Sequence, residues 1–525
     1  MVEDTSYFSE QIPVPDVEDY SFSWRKLWAF TGPAFLMSIA FLDPGNIESD
    51  LQSATVARYK LLWLIAASTL AGLFIQILSA RLGTVTGRHT AELCHGFFPR
   101  VPSILLWLMS EVAIIGSDMQ EVIGTAISLY LLSQGWIPLF AGVVLTIGDT
   151  LTFLFLDKYG LRKLELFFAL LIATMAITFG YEFAQSHPET GAIGIGLVLT
   201  YCKGCDSEAL KQAVGIIGAT IMPHNLYLHS ALVKTRQINR KKEAEVADAN
   251  RYVAIESTVA LIVSFVINVM VASVFAHELH GRSNAEVRAL CPRNLSSILD
   301  PDLAFPGDPE SIVDADLFNA GVFLGCRFGL PALYVWGIGI FAAGQSSTMT
   351  GTYAGQFVME GFLNLSWVRW KRVLLTRSLA ILPTLAVAIS MDSIMDLTGM
   401  NDFLNALMSL MLPFALLPLM ILSASDRVMG SFRIGPWSQA LLWILSAALI
   451  GINVTYIGIF VSESLPHTWW VYLLLAAFSL YYACFILYLI GCLLVVLGCT
   501  CLTRLPLLGS FLLDQEELRQ QKDCR

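Results

Sequence analysis

Two short motifs in the sequence share the pattern x-Pro-x-Asn. One is DPGN at residues 43–46, the other is MPHN at residues 222–225, and each lies within an apolar stretch. Proline removes a backbone donor and clashes with the preceding helical turn, so each motif predicts a break in a helix. One such kink alone is usually structural. Two matched kinks that carry polar residues favour a binding site, because their unwound backbone groups need partners.

Four groups at these predicted breaks are suited to a transition metal. Asp43 supplies a carboxylate, Asn46 an amide oxygen and Met222 a thioether sulfur. Unwinding before Pro223 frees the backbone carbonyl of Ala219. Thioether sulfur contributes little to Mg²⁺ or Ca²⁺, which prefer oxygen, so the set favours Mn²⁺, Fe²⁺ and softer ions. We therefore predict a metal site in which the ion is a substrate, with no permanently bound cofactor.

Three acidic residues lie in one apolar stretch at about 101–133. Glu111, Asp118 and Glu121 fall within an arc of roughly 80° if this stretch is helical. Lipid would impose a high cost on three carboxylates, so the arc should face the protein interior. The acids are candidates for moving protons, with structural pairing as the alternative.

Histidine and arginine complete the candidates for a proton path. His224 and His229 follow the second break, and histidine is the side chain most easily protonated near neutral pH. Arg377 is the natural cationic partner for the buried carboxylates. The same alternative of a structural role applies to these residues.

The composition places these motifs in a membrane protein. Of 525 residues, 55% are hydrophobic and 14% are charged, and the mean hydropathy is +0.64. A water-soluble enzyme is excluded on this composition. The net charge of −10 argues against a nucleic-acid partner, because binding phosphates requires clustered Lys and Arg.

Twelve apolar stretches are long enough to cross a bilayer as helices, so we predict an all-α integral membrane protein in contact with lipid. They are about 28–59, 61–80, 101–133, 137–156, 164–183, 210–234, 252–276, 329–361, 373–390, 395–422, 437–461 and 467–500. The two breaks are five spans apart, so they have opposite orientations. This predicts inverted repeats at about 24–183 and 209–422, with extra helices at about 437–500.

The distribution of basic residues predicts the orientation. The densest basic loop, 234–251, falls on the cytoplasmic side when both termini are cytoplasmic. The long loop at about 277–328 then lies outside. The single transmembrane domain, 24–500, is thus flanked by cytoplasmic tails at 1–23, expected to be disordered, and 501–525.

Four cysteines fall in segments that this topology places outside, where disulfides are permitted. Three pairings are open, and we favour Cys291 with Cys326 and Cys202 with Cys205. Asn294 begins an Asn-Leu-Ser triplet in the long outer loop and is a candidate for glycosylation.

Three stretches resemble the signatures of the Nramp family of proton-coupled divalent metal transporters. They are DPGNIESD at 43–50, MPHNLYLHS at 222–230 and GQSSTMTGTYAGQ at 344–356. The resemblance covers about 24–500, and the twelve spans with a large outer loop are similar to animal members of the family.

The resemblance implies a LeuT-like core formed by the first ten spans. It implies the same metal ligands that the chemistry favours, and a plasma-membrane or endosomal and lysosomal location. It also implies roles in proton release or exit for Asp118, Glu121, His229 and Arg377.

The tenth span carries three further candidates. Asn405 is placed to add an oxygen ligand or a water bridge to the metal site. Met408 and Met411 stand where related sequences commonly carry Gln, and they share one helical face. Two more sulfurs would affect ion preference if that face lines the path, but packing is the favoured alternative.

Together these features predict a secondary active transporter, not an enzyme, that moves Mn²⁺, Fe²⁺ and similar ions toward the cytosol with protons by alternating access. A sodium-coupled amino-acid symporter of the same fold is the alternative, but Asp43 would repel its anionic substrate. A channel is disfavoured by the matched inverted breaks. A metalloenzyme is disfavoured because no His-Glu-x-x-His motif is present.

Overall fold

The fold is described from a computed structural model of the chain. It describes residues 12–15, 22–156, 161–200, 202, 204–291, 301–364, 369–390, 394–463 and 468–499. The candidate glycosylation site at Asn294, the predicted C-terminal tail and most of the predicted N-terminal tail lie outside the described residues.

Helices account for most of the described chain. They are α1 (Trp24–Phe30), α2 (Pro33–Ile39), α3 (Pro44–Ala57), α4 (Leu62–Thr86), α5 (Thr90–Phe97), α6 (Arg100–Leu132), α7 (Leu139–Leu156), α8 (Leu161–Ser186), α9 (Thr190–Val198), α10 (Ser207–Thr220), α11 (Pro223–Leu232), α12 (Glu243–Glu278), α13 (Asn284–Leu290), α14 (Pro301–Ala304), α15 (Leu317–Phe328), α16 (Leu330–Leu363), α17 (Arg369–Ser390), α18 (Ile394–Met411), α19 (Pro413–Ala424), α20 (Asp426–Met429), α21 (Pro436–Glu463) and α22 (Trp469–Val496). Two short strands, β1 (Ile12–Pro13) and β2 (Arg236–Gln237), pair in parallel.

Seven helical segments within the described residues are long and apolar enough to cross a membrane. They are Leu62–Thr86, Arg100–Leu132, Arg162–Ser186, Glu243–Glu278, Met400–Ala424, Pro436–Gly458 and Trp469–Val496. The other predicted spans coincide with α2 and α3, α7, α10 and α11, α16, and α17. The expectation of a mainly helical membrane protein is confirmed.

Proline begins a new helix at both sequence motifs. α2 ends at Ile39 and α3 starts at Pro44, while α10 ends at Thr220 and α11 starts at Pro223. Proline suits the first position of a helix because the amide hydrogen missing there has no helical acceptor. Asp43 caps α3, since its side chain accepts a hydrogen bond from the Asn46 backbone amide at 3.0 Å.

The apolar surface of the outer helices suits contact with lipid. Large exposed apolar side chains follow one another on α8 and α22, where a soluble protein would carry polar residues. They are Leu166, Leu170, Ile177, Leu473, Leu474, Leu480 and Leu487. The polar side chains of the motifs, by contrast, are buried in the interior.

Small residues allow the central helices to approach closely. A Cβ on Gly344 would lie close to Thr125 Oγ1 of α6, and one on Gly124 would meet the ring of Pro44. The Gly, Ser and Thr-rich stretch of α16 therefore packs directly against α6, as small residues permit in membrane helices. This packing brings α6 against the start of α3.

Both favoured disulfide pairings are present in the structure. Cys291 is bonded to Cys326, with 4.4 Å between their Cα atoms, and Cys202 is bonded to Cys205. The Cys291–Cys326 bond joins the end of α13 to α15, so it closes the long loop predicted to lie outside.

Gly218 tests the close packing of α10 against α18. A Cβ at this position would collide with the backbone oxygen of Asn405. Overpacking of this kind typically costs about 1–3 kcal/mol, so Gly218→Ala should lower the melting temperature of the detergent-purified protein. Gly451→Ala is the control, because among the described residues no atom lies within 4 Å of its added Cβ. Equal melting temperatures of the two variants would contradict the close packing of α10 against α18.

Candidate metal site

Asn46 joins the two helix breaks. Its side-chain amide nitrogen donates to Asp43 Oδ1 at 2.7 Å and to the backbone oxygen of Ala219 at 2.9 Å. A longer contact of 3.3 Å reaches the carbonyl of Ala40, at the end of α2. Three of the predicted ligand groups therefore meet at one point between α3 and α10.

Asp43 is fully buried and retains one free oxygen. Its Oδ1 accepts hydrogen bonds from Asn46, whereas Oδ2 has no hydrogen-bond partner among the described residues. A buried carboxylate oxygen without a partner is costly, so it marks a place for a cation or a proton.

Met222 lies at the second break. It caps α11 and is 2% exposed, three residues beyond Ala219. Its position at the N-terminal end of a helix differs from that of a methionine within a continuous apolar face. Burial beside the unwound backbone fits a soft ligand.

The donor set at the breaks is unusual for a protein metal site. No three His, Cys, Asp or Glu side chains in the described part of the chain are arranged to hold a metal. The candidate site instead combines one carboxylate with an amide, a backbone carbonyl and a thioether. Rotating the Asn46 amide by about 180° would turn its oxygen toward the shared point.

Asn405 lies beside this site, together with a residue that the sequence analysis missed. Asn405 Nδ2 donates to the backbone oxygen of Gly45 at 3.3 Å. Gln120 of α6 donates to Asn405 Oδ1 at 2.7 Å and to the carbonyl of Asn401 at 3.3 Å. Gln120 is fully buried. Its only sequence signal is that it is a polar residue in an apolar helix, next to the acidic Glu121.

Arg377 forms an ion cluster with two of the predicted acids. Its Nη1 lies 3.4 Å from Asp118 Oδ1 and 3.3 Å from Glu121 Oε2. Ser347 of α16 donates to Glu121 Oε1 at 2.8 Å. All three charged side chains are buried. One cation faces two carboxylates here, so the cluster has room for a proton.

The remaining proton-path candidates lie apart from this cluster. Glu111 accepts a hydrogen bond from Trp107 Nε1 at 2.9 Å. His224 and His229 are buried on α11. Within the described residues, none of these three forms an ion pair with Arg377, Asp118 or Glu121.

Met408 and Met411 are buried in an apolar cluster to which α19 and α22 contribute the most residues and α4, α5 and α6 contribute others. The Met408 methyl group lies close to Gly116 of α6, because a Cβ on that glycine would be 3.2 Å away. These surroundings support the packing interpretation of the two methionines.

The α1–α2 corner on the predicted cytoplasmic side is held by charged side chains. Glu256 of α12 accepts from the Gly32 and Ala34 amides at 2.6 and 3.0 Å. Arg236 donates to the Thr31 carbonyl at 2.9 Å and pairs with Glu165 at 2.8 Å. These contacts fix α2, the element that leads into the first break.

Comparisons with known proteins agree with this geometry. The Nramp profile, described as natural resistance-associated macrophage protein-like, matches residues 34–458. Natural resistance-associated macrophage protein 2 of Mus musculus is 55% identical over 482 residues, covering 92% of this chain and 84% of the relative. The NRAMP-like transporter smf-1 of Caenorhabditis elegans is 52% identical over 475 residues, covering 90% of this chain and 84% of the relative.

Solved structures show the same architecture. A variant of the manganese transporter from Eremococcus coleocola superimposes with a TM-score of 0.77 at 28% sequence identity. The match covers 94% of this chain and 98% of that protein.

Arg377→Ala tests the buried ion cluster. Removing the cation leaves two buried carboxylates facing each other, which typically costs about 3–5 kcal/mol. We expect a large loss of thermal stability at neutral pH that shrinks as the pH falls, because protonated carboxyl groups no longer repel. Arg433→Ala is the control, since its pair with Asp426 is exposed and such pairs contribute about 0–1 kcal/mol. A pH-independent loss, or equal losses, would contradict the cluster's role.

Proposed function

This chain belongs to the Nramp family, and we propose that it is a secondary active transporter carrying divalent transition metals, Mn²⁺ and Fe²⁺ among them, toward the cytosol together with protons. It is a transporter and not an enzyme. The observation that supports this most directly is the contact of Asn46 with both Asp43 and Ala219, which joins the two helix breaks.

The proposed architecture has twelve spans and a LeuT-like core of two inverted repeats, at about 24–183 and 209–422. In this arrangement α2 with α3 forms the first discontinuous span, and α10 with α11 forms the sixth. Paired breaks of this kind lie at the midplane in secondary transporters. Motion of the two halves about the breaks would expose the site to each side in turn.

The proposed ligands are Asp43, Asn46, the Ala219 carbonyl and Met222. Among the described residues Asp43 has no basic partner within ion-pair distance, so its buried charge needs another counter-ion. A dication supplies that charge and finds three oxygens and one sulfur. Asn405, held by Gln120 beside Gly45, is proposed to add an oxygen or a water bridge.

Protons are proposed to move through the acids and basic side chains of the neighbouring helices. The Asp118, Glu121 and Arg377 cluster supplies the best-defined proton acceptor. His224, His229 and Glu111 would extend the path on either side of it. Coupling follows from electrostatics, because a dication arriving near several buried carboxylates favours the release of a proton.

The location is proposed to be the plasma membrane or endosomal and lysosomal membranes, with both termini cytoplasmic. The disulfide between Cys291 and Cys326 supports this orientation, because an outer loop faces an oxidising compartment. Asn294 in the same loop is then available for glycosylation.

Asp43→Ala and Asn46→Ala should abolish Mn²⁺ uptake into proteoliposomes. For Asp43, losing one partner of a buried charge pair costs about 2–5 kcal/mol, which corresponds to at least about a thirtyfold loss of uptake at low Mn²⁺. Asp426→Ala, which removes an exposed carboxylate, should leave uptake unchanged. Normal uptake by Asp43→Ala would reject the site.

Met222→Ala should retain some Mn²⁺ uptake but admit Ca²⁺ more readily. The thioether favours borderline ions over those that prefer oxygen, so its loss removes discrimination rather than binding. Competition of Ca²⁺ with labelled Mn²⁺ measures the effect. Met408→Ala makes the same substitution in an apolar cluster. In this control, Ca²⁺ should compete with Mn²⁺ as weakly as it does in the wild type. Unchanged selectivity in Met222→Ala would remove the case for a sulfur ligand.

Proton coupling predicts that Mn²⁺ uptake acidifies the vesicle interior. Glu121→Gln should weaken this acidification more than it weakens Mn²⁺ uptake, because it removes an acid from the cluster and leaves the metal ligands in place. A pH-sensitive dye inside the vesicles and labelled Mn²⁺ measure both fluxes. Robust wild-type Mn²⁺ uptake without acidification would contradict proton coupling and would mean that the protein carries out facilitated transport.

A further inference from the structure

A second group of polar side chains lies about one and a half helical turns beyond Asp43 along α3. We propose that Glu48, Gln52 and Asn401 form an outer cation site, distinct from the site at the helix breaks. Its place on the path that metal follows inward rests on the proposed function, whereas its ability to bind a cation does not.

Glu48 is the centre of this group. It is fully buried, and its two carboxylate oxygens accept hydrogen bonds from different amides. Asn401 Nδ2 donates to Oε2, and Gln52 Nε2 lies 3.4 Å from Oε1. No Lys, Arg or His forms an ion pair with Glu48 in the part of the chain that the structure describes. Its negative charge is therefore not balanced by a side chain.

The neighbouring charges are also negative. Asp402, Asp316 and Asp314 are close enough to Glu48 to repel it electrostatically. Asp402 and Asp314 are exposed, while Asp316 is buried at the start of α15, which packs against α3. Asp314 belongs to the long loop, so exposed negative charge lies on that side of Glu48.

Two amide oxygens in the group have no partner. Gln52 Oε1 and Asn401 Oδ1 are both buried without hydrogen bonds, although the nitrogen of each amide contacts Glu48. Rotating each amide by about 180° would turn its free oxygen toward the carboxylate of Glu48. Buried acceptors grouped around an unbalanced carboxylate are the surroundings that a cation satisfies.

The chemistry of these donors indicates the ion. They offer oxygen only, which suits divalent cations that prefer oxygen, Mn²⁺ among them. The site at the breaks differs in adding a thioether. Selection by softness would then occur at the inner site, after the ion has lost part of its water shell at the outer one.

Polar contacts connect the two sites. Gln120 donates to the Asn401 carbonyl at 3.3 Å and to Asn405 Oδ1 at 2.7 Å. Asn405 in turn donates to the Gly45 carbonyl, two residues from Asp43. Glu48 lies five residues along α3 from Asp43, or about 8 Å by helical rise. A chain of hydrogen-bonded polar groups therefore runs between the two sites.

Counting bound Mn²⁺ tests the proposal. Electron paramagnetic resonance of the purified full chain in nanodiscs, titrated with Mn²⁺, should give two ions per chain. Glu48→Gln keeps the shape of the side chain and removes its charge, so this variant should bind one. Asp43→Ala should also bind one. Glu182→Gln is the control, because it neutralises another buried carboxylate, on α8, and should still bind two.

The outcomes separate the two sites. Two ions in Glu48→Gln, or none in Asp43→Ala, would overturn the outer site. One ion in the wild type and in Glu48→Gln would also overturn it and would mean that Glu48 holds a proton. No ion in Glu48→Gln with one in Asp43→Ala would support the outer site and reject the metal site of the proposed function. The ion retained at the Asp43 site, or a monodisperse size-exclusion profile where no ion is retained, shows that Glu48→Gln is folded.

Discussion

The carboxylate of Asp43 is the group that the surrounding structure must accommodate. It is fully buried between two helix ends, with one oxygen bonded to Asn46 and the other unpaired. A charge in this position is stable only when a counter-ion or a proton joins it. The helix breaks, the amide of Asn46 and the freed carbonyl of Ala219 are arranged around that requirement.

Helix packing keeps these groups in place. Pro44 and Pro223 begin helices at the breaks, so the unwound backbone is confined to a few residues. Glycines let α6 approach the start of α3 and let α18 approach α10. Gln120 of α6 and Asn405 of α18 thereby contact each other beside the site, while Glu256 and Arg236 fix the beginning of α2.

The sequence predicted the parts of this arrangement that local chemistry determines. The prolines marked where helices end, helical periodicity placed Asp118 and Glu121 on the face that meets Arg377, and the topology favoured the disulfide pairing. Contacts between distant helices were not predictable in this way. Glu48 and Asn401 are 353 residues apart in the sequence. Nothing in the sequence distinguishes Gln120 from other polar residues, and its role depends on its contact with α18. Glu111 shares an arc with the other acids, yet pairs with Trp107 because it lies two turns away along α6.

Anomalous scattering from Mn²⁺ in crystals of this protein tests the central claim most directly. The account predicts a peak between Asp43 and the Ala219 carbonyl, with the Met222 sulfur and the Asn46 oxygen in the coordination shell. A bound Mn²⁺ found only elsewhere, with continuous helix through residues 40–43 or with the Asp43 side chain turned away from Ala219, would contradict it.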